Sequence, residues 1–188
     1  MSRMVFLLEE RSMKIMLEAL LPRFFPDMPF LCVAHEGKQD LEKSIPRKLR
    51  AWCEPGARFV VIRDNDGGDC HELNNRLKNL CETSGRSDAL VRIACQELEA
   101  WYIGDAKALA DAFDNELLRN IGKKASYRNP DTIQQPSREM AKLVPAFQKV
   151  SGARRMGCTL SRHDNRSRSF QVFMDGVERE YSSMQSTI

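Results

Sequence analysis

Two carboxylates one residue apart, Asp64 and Asp66, follow the apolar run Phe59-Val60-Val61-Ile62 and precede Gly67 and Gly68. Such an Asp-x-Asp pair can aim two acids at one hard divalent cation. Mg²⁺ accepts one or two carboxylates and fills its other positions with water and phosphate oxygens. Asp, Asn and Gly are also the ordinary residues of an exposed turn, so the pair alone leaves both readings open. Further acids stand at comparable places: Glu9 follows Met4–Leu8, and Glu97 and Glu99 follow Ala89–Ala94. Carboxylates gathered on one edge repel each other unless a cation lies among them.

Whether they gather depends on the strands in front of them. Met4–Leu8, Phe30–Ala34, Phe59–Arg63 and Ala89–Ala94 are short apolar runs. Uninterrupted runs of that length read as strands buried on both faces. Segments with helical spacing separate them: one from Ser12, a plausible cap, to the Pro22–Pro29 region, then about Asp40–Trp52 and about Asp69–Thr83. Pro22 should kink or end the first of these. Strand and helix in alternation predict an α/β fold, a mainly parallel sheet of about four strands with helices on both faces. Ligands collect beyond the carboxyl ends of such strands, and that is where Glu9, Asp64, Asp66 and Glu97/Glu99 stand. Glu97 and Glu99 are two apart, so on a helix at most one faces the site.

Residues 1–112 are expected to form this α/β domain. Residues 113–188 are expected to be a helical and irregular basic extension packed on it, with helices near Arg138–Gln148, capped by Ser137, and Phe170–Tyr181. Residues 1–105 hold 15 basic and 17 acidic residues and residues 106–188 hold 14 and 9. That split suits a polyanionic partner. The basic side chains that could meet phosphates are Lys38, after the His35-Glu36-Gly37 turn, and Arg154, Arg155, Arg162, Arg166 and Arg168. The alternatives are a plain β–α turn and a solvated loop. Trp101 is expected in the core.

No apolar run approaches the ~20 residues of a membrane span, and Met4–Leu8 is too short for a signal-peptide core. The expectation is a cytoplasmic protein with reduced cysteines. The six cysteines include no C-x-x-C pair, and Cys70-His71 alone does not make a zinc site.

The strings Leu8-Glu9-Glu10-Arg11-Ser12-Met13, Arg63-Asp64-Asn65-Asp66 and Arg92-Ile93-Ala94-Cys95-Gln96-Glu97-Leu98-Glu99-Ala100-Trp101-Tyr102 resemble an uncharacterised bacterial Toprim-like family, a domain of unknown function. So do Lys149-Val150-Ser151-Gly152-Ala153-Arg154 and Asn165-Arg166-Ser167-Arg168-Ser169-Phe170. More distantly the pattern is similar to the Toprim domains of OLD-family nucleases, topoisomerases and primases. The resemblance spans nearly the whole chain. It implies a Rossmann-like Toprim fold with Glu9, Asp64 and Asp66 as catalytic acids. Those three, with Glu97 or Glu99, would be ligands of Mg²⁺ or Mn²⁺. The implied activity is phosphodiester cleavage of nucleic acid, with a defence-type system as the setting. Glu10 departs from the pattern, since Toprim proteins often place a Gly beside the first Glu. The chain has no topoisomerase-type nucleophilic Tyr module and no Walker A sequence, so any ATPase partner is a separate subunit. A homodimer is compatible with this scheme. The alternative is a non-catalytic Toprim-like partner or regulatory module.

Overall fold

The computed structural model describes residues 2–186. Four strands alternate with helices in the first half: β1 (Met4–Leu8), α1 (Arg11–Phe24), β2 (Phe30–Ala34), α2 (Lys38–Ala51), β3 (Arg58–Asp64), α3 (Cys70–Glu82) and β4 (Leu90–Ala94). Two short helices follow, α4 (Glu99–Ile103) and α5 (Ala106–Ala112). Three 3₁₀ segments within 116–132 lead to α6 (Pro136–Leu143), α7 (Lys149–Thr159) and α8 (Arg168–Gln185). No helix among the described residues is long and apolar enough to cross a membrane.

All four strands pair in parallel, in the order β2-β1-β3-β4. This is the α/β fold with helices on both faces that the alternation predicts. Every residue of β1 is buried, because each face of the sheet carries its own core. Met4, Phe6, Leu8, Val60 and Ile62 pack on the side of α1, α4, α5, α7 and α8. Val5, Leu7, Phe59, Val61, Val91 and Ile93 pack under α2 and α3. The first crossover runs from β1 outward to β2 by way of α1. The next two run the other way, to β3 and β4, across the opposite face. A reversal of direction switches faces when every crossover is right-handed. The reversal therefore falls between β1 and β3, the adjacent strands that end in Leu8 and Asp64.

One apolar core runs from Met4 to Met184 across residue 112. The expected helix near Arg138–Gln148 is shorter and earlier, with Gln135 rather than Ser137 at its cap position. Pro136 opens it, since a first-turn residue needs no N–H. The segment 149–159, which the sequence reading leaves irregular, is α7. It lies against α1 so closely that a Cβ on Gly157 would stand 2.5 Å from the Met16 carbonyl and 2.7 Å from the Ala19 Cβ. Arg23 of α1 donates to the Gly157 and Leu160 carbonyls at 2.8 and 3.0 Å. Those acceptors belong to the last turn of α7, which has no intrahelical donors for them.

The start of α1 also differs from expectation. Glu10 holds the cap position without a side-chain cap bond. Ser12 lies in the first turn and its hydroxyl donates to the Glu10 carboxylate. Pro22 neither breaks nor shortens α1, which runs two residues further to Phe24.

Gly157→Val should force α7 off α1. The expected loss is ~1–3 kcal/mol, the range for overpacking a close contact, measurable by urea denaturation against wild type.

Candidate functional site

The reversal between β1 and β3 is where the acids meet. The Glu9 carboxylate, just past β1, accepts the backbone N–H of Asp64 at 3.1 Å. It also pairs with Arg63, at 3.8 Å. Arg63 points to the opposite face, where it also pairs with Glu42 of α2, and Glu42 takes Arg76 of α3 at 2.9 Å. Residues 63 and 64 thus face opposite ways, as neighbours on a strand must. Arg63 ties the helix layer to the sheet, and Asp64 turns toward α4 and α7.

Asp64 is 7% exposed, and its buried Oδ1 has no hydrogen-bond partner among the described residues. Burial pushes its carboxyl well above the usual range, and the charges of Glu9, Glu99, Glu10 and Asp66 push the same way. Glu99 is 2% exposed. Burial raises it to about 7, and Glu10 and Glu97 add repulsion that Lys149 partly offsets. Glu9 is also raised, chiefly by burial, against the opposing pull of the Asp64 N–H. The Tyr102 hydroxyl is buried without a partner, in the field of Glu99, Glu10 and Asp64.

Two lysines border this cluster. Lys38 opens α2 after the left-handed Gly37 turn and reaches Asp66 at 3.1 Å. Both side chains are largely exposed, so the pair contributes little to stability. Lys149, the first residue of α7, reaches Glu10 at 2.6 Å. Burial works against its charge, but Glu10, with Glu99 and Asp64 behind it, raises it overall. Glu10, Lys149 and Tyr102 are not among the sequence-derived candidates. Lys149 and Tyr102 do stand inside the strings that carried the resemblance. Nothing in their local pattern separates them from surface or core residues.

The loop after β3 is held in an unusual shape. Asp66 and Gln96 both have positive φ, 48° and 67°, a conformation uncommon outside glycine. Each is fixed by the other's loop. The Asp66 N–H donates to the Gln96 carbonyl at 3.0 Å, and the Gln96 N–H donates to the Asn65 side chain. Asn65 closes the turn by donating to the Gly68 carbonyl at 2.7 Å. With Gln96 left-handed, α4 starts only at Glu99. Glu99 is therefore the acid that faces Asp64. Glu97 is turned away and accepts the Ser137 N–H at the start of α6, at 2.6 Å.

The remaining basic candidates come from the second half of the chain. Arg155 donates to the Ala112 carbonyl and sits over Phe113. Arg162 pairs with Asp175 and Glu178. Arg166 donates to the Gly122 carbonyl. Arg154 and Arg168 are exposed and have no hydrogen-bond or ion-pair partner among the described residues. Residues 165–170 act as a clamp. Asn165 donates to the Trp101 carbonyl and accepts from Ser167. Asp131 takes the Ser167 hydroxyl and the Ser169 N–H. Ser169 accepts the Trp101 indole N–H at 2.8 Å. Trp101 is fully buried and stacks on Phe173.

Among the described residues no three His, Cys, Asp or Glu side chains are arranged so as to hold a metal ion. The cluster nevertheless offers only carboxylate oxygens around an unpartnered Asp64, the donor type that hard cations take. As folded it is a set of carboxyls raised by burial, bordered by two lysines.

A carboxyl raised on folding binds its proton more tightly in the folded state. Stability should therefore fall as pH rises from about 4.5, the ordinary value for Glu99, through about 7, its folded value. That interval corresponds to roughly 3 kcal/mol as an upper bound. Glu99→Gln should be more stable than wild type at pH 8 and show a flatter stability profile across this range. Thermal denaturation from pH 4.5 to 8 measures both.

The family model for a domain of unknown function, DUF4276, matches residues 8–178. No curated protein and no solved structure matches the chain. The matched region begins at the end of β1, includes every acid of the cluster and both bordering lysines, and extends into α8. On that match the chain belongs to the DUF4276 family, a domain of unknown function.

Proposed function

We propose that the protein is a metal-dependent, nuclease-like phosphodiesterase of Toprim type. In this reading Glu9, Asp64 and Asp66 hold Mg²⁺ or Mn²⁺, with Glu99 beside them. The carrying observation is Asp64, a buried carboxylate with an unpartnered oxygen among four other acids. Such a group is either protonated or offset by a cation. Its place supports the reading too, because ligands of open α/β sheets bind where the strand order reverses. Binding entails a rearrangement of side chains, with Asp66 exchanging Lys38 for the metal. A bound divalent ion supplies Lewis acidity and lowers the pKa of a coordinated water.

The chain's own groups would do the rest. Glu99 is tuned by burial to exchange a proton near neutral pH, where a general acid or base is most effective. Lys38 would be freed to meet a phosphate oxygen, and the exposed Arg154 and Arg168 suit a polyanionic backbone. Glu97 has a structural part, at the α6 N-terminus. Nucleic acid is the proposed substrate. A separate ATPase subunit and a defence-type setting belong to the same proposal.

A second reading, a non-catalytic partner or regulatory module, has one observation in its favour. Lys38 and Lys149 already pair with Asp66 and Glu10, so part of the acidic edge is neutralised without a metal. A basic partner surface would then dock on the acids in place of these lysines.

One experiment separates the two. Plasmid, single-stranded DNA and RNA are incubated with the protein in Mn²⁺ or Mg²⁺, while calorimetry follows binding of the metal alone. The first reading predicts metal binding and nicking by wild type. Asp64→Ala should lose both, with cleavage falling by more than the ~10–100-fold typical of losing a ligand's supporting partner. No metal binding at millimolar concentration overturns the first reading. Nicking by wild type but not by Asp64→Ala/Asp66→Ala overturns the second.

A further inference from the structure

Cys70 is the first residue of α3 and Cys95 the first residue after β4. Their sulfurs are 3.5 Å apart, so ~1.5 Å of approach would close the ~2.0 Å bond of a disulfide. The two thiols belong to the same pair of loops that the Asp66–Gln96 and Gln96–Asn65 hydrogen bonds already join. The Cys95 N–H is held by Ser169 at 3.2 Å. Side-chain rotation within a fixed frame can therefore bring the sulfurs together. Both residues are partly exposed, so a small oxidant can reach them. The other four cysteines are either exposed, Cys53 and Cys158, or buried, Cys32 and Cys81.

We propose that Cys70 and Cys95 are a reversible redox pair that forms a disulfide when the protein meets a peroxide. The pair does not depend on the metal reading of the neighbouring acids. Cys70 is the attacking thiol. It is the first residue of a 13-residue helix, with its sulfur against that of Cys95.

The Cys70 thiol sulfur attacks one peroxide oxygen and the O–O bond breaks. The departing hydroxide takes up the thiol proton as water, which leaves Cys70 as a sulfenic acid. The Cys95 sulfur then attacks the Cys70 sulfur, the S–O bond breaks, and a second water carries off the Cys95 proton. Two thiols lose two electrons and hydrogen peroxide becomes two waters. A dithiol reductant reverses the bond by exchange. The link would pin residues 65–69, which carry Asp66, between β3 and β4.

The test uses the wild-type protein, which requires no substitution. After brief exposure to hydrogen peroxide, free thiols are alkylated and the protein is digested with trypsin without reduction. The expected product joins peptides 64–76 and 93–107, lighter by two hydrogens than the reduced pair, and dithiothreitol separates it. Cys53→Ser/Cys158→Ser should still form it. Cys95→Ser should instead leave Cys70 as a sulfenic acid that dimedone traps. Hydrogen exchange of the 65–69 amides should slow in the oxidised form. The proposal is overturned if Cys70 and Cys95 stay as thiols while Cys53 and Cys158 oxidise. It is equally overturned if the two become separate sulfinic or sulfonic acids, or link to other cysteines.

Discussion

Parallel pairing of β1 with β3 is the constraint on which the site depends. Their crossovers leave in opposite directions across opposite faces, so no connection covers the edge beyond Leu8 and Asp64. The polypeptide must turn away from that edge on both sides. The N–H of Asp64 then needs an acceptor, because a buried backbone donor is costly to leave unpaired. Glu9 supplies it. One hydrogen bond thus satisfies the strand end and fixes two carboxylates beside each other. The same geometry that closes the sheet's hydrogen bonding concentrates its negative charge.

The second half of the chain makes that concentration deeper. With α1 alone, the α1 side of β3 and β4 would be open. Helices α4, α7 and α8 fill it with Trp101, Phe170 and Phe173 in one apolar core. Asn165 and Asp131 hold α4 and the start of α8 in place through the Trp101 carbonyl, the Ser169 N–H and the Ser167 hydroxyl. The result places Glu99 and Tyr102 under cover next to Asp64. Burial, the largest cause of the raised Asp64 and Glu99 carboxyls, is therefore imposed largely by the C-terminal helices.

The ion pairs around the cluster differ in the charges behind them. Lys38–Asp66 lies at the surface, is screened by solvent and can be exchanged at little cost. Lys149–Glu10 bridges α7 and the start of α1, with the charge of Asp64 and Glu99 behind it. It offsets negative charge that burial would otherwise penalise more heavily. Both lysines are about half exposed, so neither pair holds the acidic edge tightly.

The four strands, their parallel pairing and the acids at their ends are legible in the sequence because they rest on local signals. Apolar runs of five or so residues, turn residues after them and helical spacing between them are enough. The proximity of Glu9 to Asp64 follows from the topology those signals imply. What the sequence does not show is direction and depth. Glu97 and Glu99 have the same type and the same nearby strand. A left-handed Gln96, fixed by hydrogen bonds from a loop 30 residues earlier, aims one at the site and the other at α6. Arg155, Arg162 and Arg166 form a basic stretch in the sequence, but their guanidinium groups serve carbonyls and carboxylates within the fold. Helix α7 is hidden by two glycines, Gly152 and Gly157. The second is explained only by the backbone of α1 against it. Period and residue type determine the elements, since both act within a few residues. Contacts between distant segments decide which acids are buried together, because only packing removes them from water.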